Sequence, residues 1–544
     1  MAIIAVGSVL GLAASTAHAS THSIAAAPTP EVPAATSSAP GVPAVPAEGR
    51  RYRKTARHSA WSALALTLLC IGGVLLAAGF KGDSRTKGPI GAVIAESGTV
   101  TATLTVTGEP RAAATGPPAF GNGARLSLNA VVTEATAKGQ RFGANTPVVL
   151  LGRYDWAKVK TGNRVATAGR LVPGRAGQDA AALFLAGGAP RILPVDFGWA
   201  QWTAELRSRW RLACAWLWPD AAGLLPGMTV GDRTSITSDL DTAMKRVGLT
   251  HLTAVSGANC TLILAGLLFA TRSLRMPRWL AAAGAAAGLT GFVALVGPDP
   301  SVLRAALMGL IGLFALLSGR PRRIPALLAV TIVVLLTVDP WLSGSFAFIL
   351  SVLAMLGLVL LGKPCARWLS TCLPQWIAQA VAVPLSAQLF CAPVIVLLQP
   401  QLTVYSLPAN IAAAPVVALV TAAGTLGLPT LLLIPWAAPA FVATAGLGAE
   451  WVALAARFFS GLPGAAIPWP AGAVGVALMS FLCVLTVATL WTLLNLGRVA
   501  TMAAAARGRL PARWQAAVGL PAVAAGAAAV TGVTVWVLSQ TGLI

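Results

Sequence analysis

Six polar side chains fall where long apolar runs begin or pass: His251, Ser256, Asn259, Arg304, Gln388 and Asn410. Polar groups inside a membrane are costly and tend to mark pathways for polar solutes. These six offer neutral hydrogen-bonding groups and one fixed cation able to hold a phosphate through two parallel bonds. Each also has a plainer use. His251, Ser256 and Asn259 sit where a run starts, so a helix cap with small-residue packing at Ser256-Gly257 would employ them too. Arg304 lies one turn inside its run and either meets an anion or snorkels to the interface beside Asp299. Gln388 and Asn410, at mid-run, would serve equally as interhelical hydrogen bonds.

A second set is cationic: Arg125, Arg153, Lys158, Lys160, Arg164 and Arg170, beside Tyr154 and Trp156. Cationic grooves with stacking aromatics bind single-stranded nucleic acid. A solvated basic face is the alternative. Catalytic inventories are missing. The four histidines (His18, His22, His58 and His251) form no His-x-His-x-Asp-His cluster for a two-metal hydrolase. No Gly-x-x-x-x-Gly-Lys-Ser/Thr loop is present for ATP. The seven cysteines show no zinc-like spacing and read as small apolar fillers. The expectation is a non-enzyme with no catalytic residue, no metal and no cofactor.

The elements that must position these residues follow from composition. The chain has 544 residues, 56% of them hydrophobic and 10% charged. Soluble domains carry roughly 25% charged residues, so the solvent here is lipid. Runs of about 20 apolar residues succeed one another from residue 251 onward and must be helices, because lipid leaves no partner for open backbone. The fold class is an all-α polytopic membrane protein of about 11 transmembrane helices. The run 424–436, short and interrupted by Pro429 and Pro435, is expected to be re-entrant. Residues 81–200 differ. Val100, Ala102, Leu104 and Val106 alternate with threonines, and 125–133, 147–151 and 164–171 are further strand candidates. They predict a small extracytoplasmic β domain.

The domain plan is 1–60, an apolar stub, a Pro/Ala linker and a basic anchor; 61–80, a transmembrane helix; and 81–200, the β domain. Residues 201–222 are an interfacial amphipathic helix rich in Arg and Trp. Residues 223–497 form the main membrane domain, and 498–544 a basic loop with a final span. The clusters Arg272/Arg275/Arg278, Arg320/Arg322/Arg323 and Lys363/Arg367 fall on alternate loops. Putting them in the cytoplasm places residue 251 and the β domain outside. The net charge of +22, from 39 Lys+Arg against 17 Asp+Glu, owes much to such loops and also suits a polyanionic partner.

The segment 223–262 contains Gly231-Asp232, Gly248-Leu249, His251-Leu252 and Ala254-Val255-Ser256-Gly257. It resembles the opening of the competence domain of the ComEC family, the inner-membrane DNA-internalisation proteins. Where the family often continues with Leu-His, this chain has Ala258-Asn259. Three more stretches resemble family elements in the right order. They are Pro300-Ser301-Val302-Leu303-Arg304-Ala305; Asp339-Pro340 with 345–351; and Ser386-Ala387-Gln388 with Pro393, Asn410 and Pro415. The resemblance covers about half the chain, 223–497. It implies an OB-like fold for 81–200 and a multi-pass channel in the inner cell membrane that conducts single-stranded DNA inward during natural transformation. Many members carry a C-terminal metallo-β-lactamase-like nuclease domain, and this chain is expected to lack it. Separate partners are then expected: a DNA receptor, a cytoplasmic ATP-driven motor and a nuclease, besides the lipid bilayer and allowing a homo-oligomer. The competing functions are a secondary transporter for a small anion and, less favoured, a polytopic membrane enzyme.

Overall fold

A computed structural model of the chain describes residues 68–82, 89–108, 110–112, 126–174, 180–194, 198–297, 299–318, 324–495 and 501. The 1–60 segment, Arg125, the Arg320/Arg322/Arg323 cluster and the final span near 516–540 lie outside the described residues.

The first described helix, α1, is Leu68–Gly82. A short helix α2 (Pro89–Ala95) leads into five long strands: β1 (Thr99–Val106), β2 (Leu126–Ala137), β3 (Gln140–Gly152), β4 (Arg164–Pro173) and β5 (Ala182–Ala186). β1 pairs antiparallel with both β2 and β4. β2 pairs with β3, β3 runs parallel to β5, and β5 pairs with β4. The sheet therefore closes on itself as a five-stranded barrel, which leaves no open edge among these strands. The alternation expected in 100–106 is observed: Val100, Ala102, Leu104 and Val106 are buried against Leu128, Leu150, Leu171 and Phe184. Gly169 permits a close approach to backbone in the barrel. A Cβ there would stand 2.4 Å from the Leu185 carbonyl oxygen and 2.5 Å from the Phe184 ring.

Twelve more helices follow. α3 (Trp199–Cys214), α4 (Pro219–Val230) and α5 (Ser238–Arg246) precede the long apolar ones. These are α6 (Gly257–Ser273), α7 (Arg278–Val296), α8 (Pro300–Leu317), α9 (Ile324–Val338), α10 (Phe346–Leu369), α11 (Gln375–Leu398), α12 (Ser406–Leu433), α13 (Ala438–Gly461) and α14 (Gly472–Leu494). Among the described residues seven helices are long and apolar enough to cross a membrane: α7, α8 and α10–α14. α1 and α9 are shorter apolar helices. The re-entrant expectation for 424–436 is corrected. Most of that run continues the preceding one in α12, a single 28-residue helix with Pro415 and Pro429 inside it. A proline removes one backbone bond, and buried membrane helices tolerate that loss. Since the re-entrant run and its neighbour together made one crossing, the order of inside and outside loops is unchanged.

Several contacts gather at one end of the bundle. Gln401–Thr403 pairs with Ala466–Pro468, joining the α11–α12 and α13–α14 connections. Gln401 donates to the Lys245 carbonyl at the end of α5. Elsewhere, Lys81, at the end of α1, donates to the Val338 carbonyl at the end of α9.

The 201–222 interval divides. Leu206, Trp210 and Cys214 of α3 are buried in the bundle core, while Trp199, Leu212, Trp216 and Trp218 are exposed. Trp210 donates to Thr229 Oγ1 at 2.8 Å. α4 ends at Gly231, whose φ of 77° is left-handed. Asp232 beyond it is 1% exposed and accepts from Arg211 Nη1 at 2.8 Å and from the Thr234 amide at 3.0 Å. Removing one partner of such a pair leaves a buried charge unpaired. Arg211→Ala should therefore cost about 3 kcal/mol of stability. Thermal unfolding of the detergent-solubilised protein measures it, and a change no larger than that of a surface substitution would refute the assignment.

Candidate functional site

The starts of α6 and α8 lie side by side. Ser301 Oγ donates to the Val255 carbonyl at 3.4 Å, just before the α6 N-cap at Ser256. A Cβ at Gly257 would come within 3.1 Å of Ala305 Cβ and 3.8 Å of Arg304 Nη2. The guanidinium thus reaches the first turn of α6, where a side chain larger than glycine would crowd Ala305 and touch the guanidinium at van der Waals distance. Arg304 is half-buried; its Nε donates to Ser351 Oγ on α10 at 2.6 Å and its Nη1 lies 3.7 Å from Met308 Sδ. Met308 is one turn further along α8, so the side chain turns along the helix away from Asp299. The snorkelling alternative is not the observed arrangement. Among the described residues no carboxylate neutralises this charge.

Ser256 and Asn259 act together. Ser256 Oγ donates to Asn259 Oδ1 at 3.1 Å, and Asn259 Nδ2 donates to the Met228 carbonyl of α4 at 3.1 Å. Asn259 is 1% exposed. Both ends of its amide are used in fixing α6 to α4, which is the packing role weighed from the sequence. Ser256 is half-buried beside Gly257 and Arg304.

His251 and Asn410 each bond to one of two residues that approach each other, Gly248 and Ser406. His251 Nδ1 lies 3.2 Å from the Gly248 carbonyl, in a short 3-10 turn between α5 and α6. Gly248 has a φ of 69°, and a Cβ there would stand 2.8 Å from Ser406 Oγ. Asn410 Nδ2 donates to the Ser406 carbonyl at 2.8 Å, four residues back in its own helix. The imidazole is accessible at its edge, yet the protein packed around it pushes its pKa below the ordinary histidine value, opposed by the Gly248 carbonyl. Gln388 of α11 is half-buried and makes no hydrogen bond among the described residues. An amide within an apolar span that lacks a protein partner needs water.

On the barrel, Arg153, Lys158 and Lys160 ride the β3–β4 connection, built round a 3-10 turn at Tyr154–Lys158. All three are exposed, as is Arg170, whose Nε donates to the Ser97 carbonyl at 2.8 Å. Arg164 is half-buried with a buried, unpaired Nε. The aromatic pair is corrected to one residue. Trp156 is fully buried and donates to the Gly188 carbonyl at 3.2 Å, whereas Tyr154 is 76% exposed. The tryptophan belongs to the barrel core because Gly152 leaves room for its indole ring.

Sequence reasoning did not single out Met308, and it named Ser351 only within the 345–351 stretch and Arg211 only within the amphipathic segment, without their partners. Ser351 had a visible signal, since it is the one polar side chain in 346–362.

The family described as Competence protein matches residues 228–494. A stretch of 197 residues is 31% identical to ComE operon protein 3 of Bacillus subtilis (strain 168), covering 36% of this chain and 25% of that protein. The chain thus covers about a quarter of that relative's length. No solved structure matches.

The geometry makes a direct prediction about water. In a background keeping only Cys260, which is 2% exposed, a hydrophilic thiol reagent should leave the native protein unmodified. Adding Gln388→Cys should give labelling in intact membranes. Equal protection of both positions would place Gln388 away from water.

Proposed function

We propose, from the premise that this chain belongs to the ComEC family of competence proteins through residues 228–494, that it serves DNA uptake by conducting single-stranded DNA across the cell membrane. The observation that carries this reading is Arg304. It is a fixed cation inside an apolar helix bundle, held by a serine and a thioether, with no carboxylate among the described residues to neutralise it. Such a charge is costly unless an anion is to be received. A phosphodiester backbone brings one negative charge per nucleotide, and guanidinium geometry matches it. Ser256, His251 and Gln388 offer polar groups that can replace water around the strand, while Asn259 and Asn410 support the helices presenting them.

The barrel fits an OB-like domain. It has five strands closed on themselves, and OB-folds use such barrels for single strands. Tyr154 offers a stacking face beside Arg153, Lys158 and Lys160. A path from these surface cations to Arg304 would pass the strand from a screened, exposed site to a desolvated one. Passage requires no bond cleavage, so the reading is of a channel and not an enzyme. The membrane potential opposes inward movement of an anion by about 2.3 kcal/mol per charge per 100 mV. A cytoplasmic ATP-driven motor would then do the pulling, with a receptor and a nuclease as further separate partners. The setting is the inner cell membrane with the barrel outside.

Two measurements test the reading. Transformation frequency, taken beside membrane abundance, should fall at least roughly tenfold for Arg304→Ala, while Arg304→Lys keeps part of it. Loss of abundance in proportion to loss of uptake would make Arg304 a packing residue. Purified full-length protein should also bind a single-stranded oligonucleotide without marked sequence preference, and its affinity should fall linearly in log–log form as salt rises. Affinity independent of salt would remove the barrel cations from the path.

A further inference from the structure

Arg304 carries five N–H donors in a rigid fork. Its Nε bond to Ser351 Oγ, at 2.6 Å, is the shortest contact the side chain makes, and Nη1 has only the weak thioether of Met308 at 3.7 Å. The Nη2 corner has no partner among the described residues and lies over Gly257, where the missing side chain leaves it uncovered. Ser351 comes from a different helix, α10, and is the single polar side chain in its run from 346 to 362.

A long, flexible side chain one turn from the end of a membrane helix would otherwise extend to the interface, where water and Asp299 are available. The serine bond opposes that. Holding Nε fixes the plane of the guanidinium and leaves the outer edge free, which is the edge that forms paired bonds with a phosphate. We infer that Ser351 is a positioning residue that aims the free edge of Arg304 at the phosphodiester backbone of the passing strand. The inference rests on the proposed reading of Arg304 as the cation that receives phosphate.

The test is a matched pair of substitutions. Ser351→Thr keeps the hydroxyl, and Ser351→Val has nearly the same shape without it, so packing is held close to constant. At equal membrane abundance, Ser351→Thr should retain most transformation and Ser351→Val should lose roughly tenfold, the scale of one lost charge-assisted hydrogen bond. The half-saturating DNA concentration should rise for Ser351→Val. Combining Ser351→Val with Arg304→Ala should be no worse than Arg304→Ala alone, because the serine acts through the arginine. If Ser351→Val transforms normally while Arg304→Ala does not, the positioning role is wrong and the reading of Arg304 stands. Fully additive losses would likewise overturn it, since Ser351 would then act on something else. A normal Arg304→Ala strain would sink both.

Discussion

A guanidinium inside an apolar bundle is held against a large solvation penalty, and the membrane domain is arranged around how that penalty is met. Lipid supplies no donors or acceptors, so every polar group must find one within the protein or reach water. Arg304 finds a hydroxyl and a sulfur, both neutral. They satisfy geometry without neutralising charge. The contrast is with Arg211 and Arg457, each paired with an aspartate. Arg211 closes on Asp232, and Arg457 makes two bonds to Asp220. Carboxylates are available in this fold, and among the described residues none pairs with the half-buried Arg304 between α6 and α10.

The same corner shows how the fold holds that arrangement. α4 is only 12 residues long and nearly all of it is buried. Its glycines bring backbone against backbone: a Cβ at Gly223 would sit 2.5 Å from the Ser235 carbonyl, and one at Gly227 2.7 Å from that of Thr253. Close approach at Gly227 sets the turn ahead of α6, and Asn259 then ties α6 back to Met228. Asp232, just past the end of α4, is fixed by Arg211 from α3. The start of α6, over which Arg304 lies, is thus located by α3 and α4 acting as a wedge. A short helix can do this because its stability comes from packing and not from its own propensity.

Much of this was legible because it rests on local pattern. The alternation in 100–106 gave the first strand, since period-two burial has one solution on a closed sheet. Apolar runs gave most of the long helices. What pattern alone could not give is whether two runs are one helix. Pro429 in α12 carries the signal of a break, yet the helix runs on through it to Leu433, since a proline removes only one backbone bond. Tertiary partners were equally hidden. Trp156 beside Tyr154 reads as a stacking pair, but burial sends one ring into the barrel and leaves the other outside. Asn259 read as either pore or cap, and only the Met228 carbonyl, 31 positions away, shows where its amide goes. Ser351, 47 positions from Arg304, closes the 345–351 stretch, and nothing local shows that its hydroxyl meets Arg304.

Those distances bear on how an anion could both enter and leave. A site that grips a phosphate with many charges would hold it, and conduction needs binding weak enough to release. The barrel's exposed cations, Arg153, Lys158 and Lys160 on the β3–β4 connection and Arg170 on β4, are screened by salt within about 10 Å at ordinary ionic strength. In the bundle, on the proposed reading, the strand would meet Arg304, half-buried and held only by neutral partners. A strand moving between the two would exchange many weak, screened contacts for one stronger contact at a time. On the proposed reading, each step of one nucleotide would break a single paired bond and form the next, so the barrier per step would stay near the strength of one such bond. Had a second arginine stood beside the first, the strand would bind more tightly and move more slowly. On the proposed reading, the solitary charge at Arg304 is therefore a condition for passage as much as for recognition.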